Sequence, residues 1–172
     1  MRLGPLVLLV LQAALGACAL ASGPEPRRDE ATGPVVVLAH GVHDGRAWRY
    51  IAYRTADGLC EEIEFVDTGG SSGGCSSSSV ELEPGTASLG VTGGSDQPTF
   101  VTGQAGIEVA TVRITTRFDG DFEAATFDAP PELGLPGRFF IAALPEQSTV
   151  VSAMTLDASG EVLERIDMGL TP

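Results

Sequence analysis

The chain has two histidines, three residues apart and followed by an acid, in Ala39-His40-Gly41-Val42-His43-Asp44-Gly45. Two imidazoles and a carboxylate are donors that zinc and similar ions accept, and a turn that curled His40, His43 and Asp44 together would make a metal site. The simpler reading is a strand end, with Asp44-Gly45 as turn residues. No further acidic or cysteine ligand can be assigned to complete a coordination shell. Gly69-Gly70-Ser71-Ser72-Gly73 matches the G-x-S-x-G pattern of serine hydrolases. That pattern works on a strand-to-helix turn, whereas this copy lies in a run of Gly and Ser with no helical pattern after it. Asp119-Gly120-Asp121 with Glu123 offers carboxylates of the kind calcium uses, but a hairpin tip explains the same residues. Glu62 and Glu64 alternate onto one strand face and Glu61 onto the other. They are read as a solvated face, because nothing in the sequence indicates the burial that would raise a carboxyl pKa. No cofactor motif is present.

Cys60 and Cys75 bracket a Gly/Ser stretch, Thr68-Gly69-Gly70-Ser71-Ser72-Gly73-Gly74, that has no apolar side chain with which to order itself. A disulfide between them would tie the loop down in an oxidising compartment, and closing about fifteen residues is worth roughly 3 kcal/mol in the chain-entropy treatment. Free or metal-bound thiols are the alternative, but zinc would need further ligands.

These residues have to be held by strands. From Val35 onward, short apolar or alternating runs are punctuated by Gly, Pro, Asp and Ser, with no sustained 3.6-residue period. Strands are expected at Val35–His40, Ala47–Arg54, Leu59–Asp67, Ser79–Glu83, Ser88–Thr92 and Thr99–Thr102. The remaining ones are Glu108–Phe118, Phe122–Phe127, Arg138–Ala143, Thr149–Leu156 and Val162–Met168. Three hairpins follow from register. A two-residue turn at Asp57-Gly58 sets Ala52 opposite Ile63 and Tyr50 opposite Phe65, with Ile51, Tyr53, Glu62 and Glu64 on the other face. A three-residue loop at Ala158-Ser159-Gly160 puts Val150, Met154 and Leu156 with Val162, Ile166 and Met168 on one side, Glu164 being the misfit, and Thr155, Asp157, Glu161 and Arg165 on the other. A turn near Asp119-Gly120-Asp121 brings Phe118 close to Phe122. The expectation is a single all-β domain, a β-sandwich or small barrel built from antiparallel hairpins with one disulfide-closed Gly/Ser loop. Aromatic residues are sparse, so a platform of rings for carbohydrate would rest on Trp48, Tyr50 and Tyr53, and Tyr50 is expected to face the core.

The N-terminus has the three-part plan of a secretory signal: a single charge at Arg2, the apolar run Leu6-Val7-Leu8-Leu9-Val10-Leu11, then small residues. The run is shorter than the ~20 residues of a spanning helix. Its end, Leu15-Gly16-Ala17-Cys18, resembles the lipobox of bacterial lipoproteins, in which an apolar residue stands three before a cysteine that becomes the lipid-carrying first residue. The resemblance covers only the leader and implies lipidation of Cys18. The alternative is ordinary cleavage at Ala19-Leu20-Ala21 and secretion. An odd number of cysteines, three, favours the first, since Cys18 is left over once Cys60 and Cys75 pair. Residues 1–17 are thus read as signal peptide, 18–34 as a Pro-, Gly- and charge-rich tether, and 35–172 as the globular domain. A hairpin carrying Gly58-Leu59-Cys60, a Gly/Ser loop closed by a second cysteine and a late Arg138-Phe139-Phe140 strand is also similar to small secreted domains of high-GC bacteria, a similarity that implies no activity.

The formal charge is −13, and every basic residue is an arginine. An acidic surface repels phosphate backbones and anionic lipid, which argues against nucleic acid as a partner. The expected partners are the membrane, through the N-terminal lipid, and a protein or small-molecule ligand. The sequence therefore reads as an exported envelope lipoprotein, a non-catalytic binding or sensing module. The alternative is an envelope enzyme, a metal-dependent hydrolase seated on His40, His43 and Asp44.

Overall fold

A computed structural model describes residues 28–76, 82–94 and 97–169. The leader, Cys18 and most of the tether lie outside these residues, as do positions 79–81 of the strand expected at Ser79–Glu83; Leu82 and Glu83 are not in a strand. Among the described residues no helix is long and apolar enough to cross a membrane.

The described chain is all-β, with three antiparallel sheets and no closed barrel. The first sheet is a meander of β1 (Val36–His43), β2 (Arg46–Arg54), β3 (Leu59–Phe65) and β4 (Ser71–Ser76). The second has the order β5 (Gly90–Gly94), β6 (Gln97–Ala105), β10 (Arg138–Leu144), β9 (Phe127–Asp128). The third has the order β12 (Val162–Asp167), β11 (Val150–Leu156), β7 (Thr111–Thr116), β8 (Asp121–Ala125).

Successive side chains of a strand point to opposite faces, and the second sheet uses both of its faces for burial. Phe100 and Phe139 pack with Tyr50, Ile63 and Phe65 of the first sheet. Their neighbours Val101 and Phe140 pack with Val112, Ile114 and Ala153 of the third. The second sheet is therefore the middle layer of a three-layered sandwich, which explains why β6 reads as a nearly continuous buried run instead of an alternating one. Edge-on ring contacts, Trp48 with Phe100 at 5.3 Å and Tyr50 with Phe139 at 6.4 Å, fill the space between the first two sheets.

The registers correct three expectations. In β2–β3 the loop is four residues, Thr55 to Gly58, closed by Thr55 N–H donating to the Gly58 carbonyl at 2.8 Å. Tyr50 therefore faces Ile63, and Trp48 faces Phe65. The slip is by two residues, so every side chain keeps its expected face. In β11–β12 the expected pair Leu156 and Val162 is present, but Leu163 is a bulge that shifts the rest by one. Ala153 and Thr155 consequently turn inward and Met154 outward, where Arg165 reaches its sulfur. Glu164, the misfit, accepts a hydrogen bond from Ala87 N–H at 3.1 Å. At the β7–β8 turn Phe118 does not join Phe122: it stands at the tip, 84% exposed, while Phe122 pairs with Ile114.

Two further corrections concern segments read as irregular. Ser71–Ser76 is a strand, β4, and Cys60 and Cys75 are directly opposed in the β3–β4 pair and joined by a disulfide. The bond crosses a hairpin; it does not close a loose loop. Gly73 is required there, because a Cβ would collide with the carbonyl of Glu61. The tether, in turn, is docked from Arg28 on: a 3₁₀ turn spans Arg28–Glu30, Ala31 bridges Thr55, and Thr32 N–H donates to the Arg54 carbonyl at 2.8 Å.

Candidate functional site

β1 and β2 are joined by a two-residue turn in which Asp44 and Gly45 have φ of 50° and 76°, the pattern of a tight hairpin. The turn residues are those expected. His40 and His43 lie three apart on β1 and so on opposite faces, His40 exposed and His43 half-buried edge-on to Phe100 at 6.4 Å. His43 Nε2 is 3.3 Å from Asp44 Oδ2, outside hydrogen-bond direction. The structure thus brings His43 to Asp44 and keeps His40 apart. Among the described residues no three His, Cys, Asp or Glu side chains converge as a metal would need.

The carboxylates at the β7–β8 tip are also held separately. Asp119 accepts from Ser148 at 2.8 Å, Asp121 from Thr115 at 2.8 Å, and Glu123 pairs with Arg113 at 2.7 Å. Ser71 of the G-x-S-x-G match is exposed on β4, with a strand and no helix around it. Tyr50 and Tyr53 are fully buried on opposite faces of β2, so the three aromatic residues form no platform.

The acids of β3, read as solvated, are the informative ones. Glu62 is 2% exposed on the outer face of the first sheet. It accepts from Tyr53 at 2.5 Å and from Arg28 Nη2 at 2.8 Å and Nε at 3.1 Å. Arg28 and Arg49 share Glu64, at 3.3 and 2.7 Å. Burial, then the hydrogen bond to Glu62, pushes the Tyr53 phenol well above its ordinary range. This cluster is a closed ion-pair network that fastens the Arg28 turn to the sheet.

Glu61 faces the other way, toward the second sheet. Its Oε2 accepts from the Tyr50 hydroxyl and its Oε1 from Gln104 Nε2 at 2.9 Å. Burial raises the Glu61 pKa above its ordinary value, against the two hydrogen bonds, which lower it. Tyr50 is raised in turn, first by its burial and then by the charge of Glu61. Glu61 lies at one side of a cleft of about 280 Å³ between the edge strands β4 and β5, with Gly74, Ser76, Ser88, Gly90 and Gln104 among its walls. The cleft is lined by glycines, hydroxylated residues and two leucines, Leu59 and Leu89, around one carboxyl group. Compared with known protein families, curated proteins and solved structures, the chain matches none. The chemistry of the cleft therefore has to be read from its own residues. A carboxylate held by two neutral donors can bind a ligand through its remaining lone pairs. Acid–base catalysis or nucleophilic attack would need a second activated group in reach, and none lines the cleft among the described residues.

The signal for Glu61 was present in the sequence. The alternation Glu61-Glu62-Ile63-Glu64-Phe65 puts Glu61 on the face of Ile63 and Phe65, the face assigned to the core. Gln104 and the β5 wall come from elsewhere in the chain, and nothing local ties them to Glu61.

Proposed function

We propose that the protein is an exported, lipid-anchored binding module of the cell envelope, without catalytic activity, whose ligand occupies the cleft between β4 and β5. The observation that carries this reading is the content of the cleft: one oriented carboxyl group, Glu61, and walls of hydroxyls, glycines and two leucines, with no nucleophile–base pair among the lining residues. The address rests on the leader and on Leu15-Gly16-Ala17-Cys18. Arg28, which docks to the first sheet, follows Cys18 by ten positions. A lipid on Cys18 would keep the domain within ~35 Å of the bilayer surface even with that segment fully extended.

The anchor and the cleft are tested separately. Intact mass of protein from its native host should show a chain beginning at Cys18 with added acyl mass, and Cys18→Ala should release the domain from the membrane fraction; a mature chain beginning at Ser22 without lipid refutes anchoring. For the cleft, a thermal-shift screen of small polar compounds on the full-length protein should give stabilising compounds whose effect is lost in Ser88→Trp, which fills the cleft from its β5 side. Turnover of an ester, glycoside or phosphate substrate that disappears in Glu61→Gln refutes the non-catalytic reading.

A further inference from the structure

The cleft has a feature beyond its shape. Its single charged group has no cation against it among the described residues. Arg28 and Arg49 are engaged on the opposite face of the same sheet with Glu62 and Glu64. Arg113 pairs with Glu123, and Arg138 with Asp128. The partners of Glu61 are a phenol and an amide, both neutral. A carboxylate has about four lone-pair directions, and one hydrogen bond on each oxygen leaves the others for a ligand at the cleft that Glu61 lines.

A half-buried carboxylate without a counter-charge is only partly solvated, and an incoming cation that hydrogen-bonds to it recovers some of the lost hydration. The rest of the wall suits a cation with several N–H donors. The hydroxyls of Ser76, Ser88, Thr92 and Thr102 accept as well as donate. An anionic ligand would meet Glu61 with like charge, and an apolar one would desolvate it further. The volume, about 280 Å³, fits a group the size of one side chain. The strongly negative chain, −13, concentrates cations at its surface.

We infer that the β4–β5 cleft is an organic-cation site, in which Glu61, oriented by Tyr50 and Gln104, receives the guanidinium or ammonium group of a ligand. The inference rests on the binding-module reading and names its ligand class.

The probes are Nα-acetyl-arginine amide, its neutral isostere Nα-acetyl-citrulline amide, and calcium chloride, each titrated calorimetrically into the full-length protein. The arginine amide should bind with the citrulline amide at least about thirtyfold weaker, the loss expected when one partner of a desolvated charge pair is removed. Glu61→Gln should lose the arginine amide by a similar factor. Gln keeps one acceptor oxygen for one of these partners, and its amide N–H can donate to the Tyr50 oxygen or to the Gln104 carbonyl oxygen after that side-chain amide turns, so this variant is expected to fold, and an unchanged urea midpoint or a higher one confirms it. Ser88→Trp, which leaves the carboxylate untouched, should block the same probe. Equal affinity for the arginine and citrulline amides, arginine-amide binding that survives Glu61→Gln, calcium outcompeting the arginine amide, or no arginine-amide binding at all would each overturn the inference. If neutral compounds still bind and Ser88→Trp blocks them, the cleft is a binding site of another chemistry, and only the ligand class is lost.

Discussion

Replacing both bridged cysteines, Cys60→Ala with Cys75→Ala, isolates what the disulfide contributes. The bond spans a separation of 15 residues, for which loop-closure entropy in the unfolded chain gives about 3 kcal/mol at 25 °C. The local structure argues that little of this is recovered by rearrangement. Cys75 is the sole side chain of β4 that is neither Gly nor Ser, so no apolar anchor remains on that strand. Among the described residues its other hydrogen bonds are the backbone ladder to β3 and one from Ser76 to the Leu59 carbonyl at 3.3 Å. With a urea m-value of about 2 kcal/mol/M, the midpoint should fall by roughly 1.5 M with m nearly unchanged. Amide exchange should locate the loss. Protection of β4 should drop further than the global value, while Val101 and Phe140, in the middle sheet, should follow global unfolding. A midpoint shift below about 0.5 M, or β4 amides as protected as those of Phe140, would refute the reasoning that the bond is what holds this strand.

Three other perturbations probe separate parts of the molecule. The native Glu61 carboxyl holds its proton to higher pH than the unfolded one, so native protein binds more protons between about pH 4.3 and the raised native value, and stability falls as pH rises through that window. Urea midpoints of wild type and Glu61→Gln should diverge across it, with the variant favoured at the upper end; parallel curves would contradict the assignment. Arg28→Leu leaves Glu62 buried with Tyr53 as its remaining partner and should cost about 1–2 kcal/mol, less than for a fully buried pair because Arg28 is itself partly exposed; thermal unfolding unchanged from wild type would count against docking of this turn. Phe140→Ala opens a void between the second and third sheets and should cost about 3–5 kcal/mol, measured by denaturant unfolding, whereas a cost near 1 kcal/mol would mean that this core collapses around the gap.

Strand existence was legible because period-two patterning is a local property, and the faces of β2 and β3 survived a wrong loop length because the slip was even. The expected face of β11 did not survive, since a single bulge at Leu163 sets the inward Ile166 opposite Ala153 and leaves no local mark. β4 escaped recognition for a different reason. Gly and Ser lack strand propensity, and what makes them a strand is the partner supplied by β3 together with the bond to Cys60. The three-layer arrangement was visible only in hindsight, in the unbroken buried run of β6. The cleft was half legible: Glu61 on a core face could be read from alternation, but its bonds to Tyr50 and Gln104 depend on how two sheets meet.

The order in which strands are assigned to sheets bears on how a chain made from its N-terminus acquires its shape. The first sheet is contiguous, β1 to β4, whereas the other two are interleaved, β5–β6 and β9–β10 in one, β7–β8 and β11–β12 in the other. The meander can therefore pair its backbone early, yet the aromatic and aliphatic side chains of Tyr50, Ile63 and Phe65 have no cover until Phe100 and, much later, Phe139 arrive. In that interval the half-made molecule presents a sticky sheet surface of the kind that associates with other unfinished chains. A protein arranged in this way gains from a holding factor during synthesis, and mutations that slow pairing of β6 with β10 should lower its yield more than its final stability.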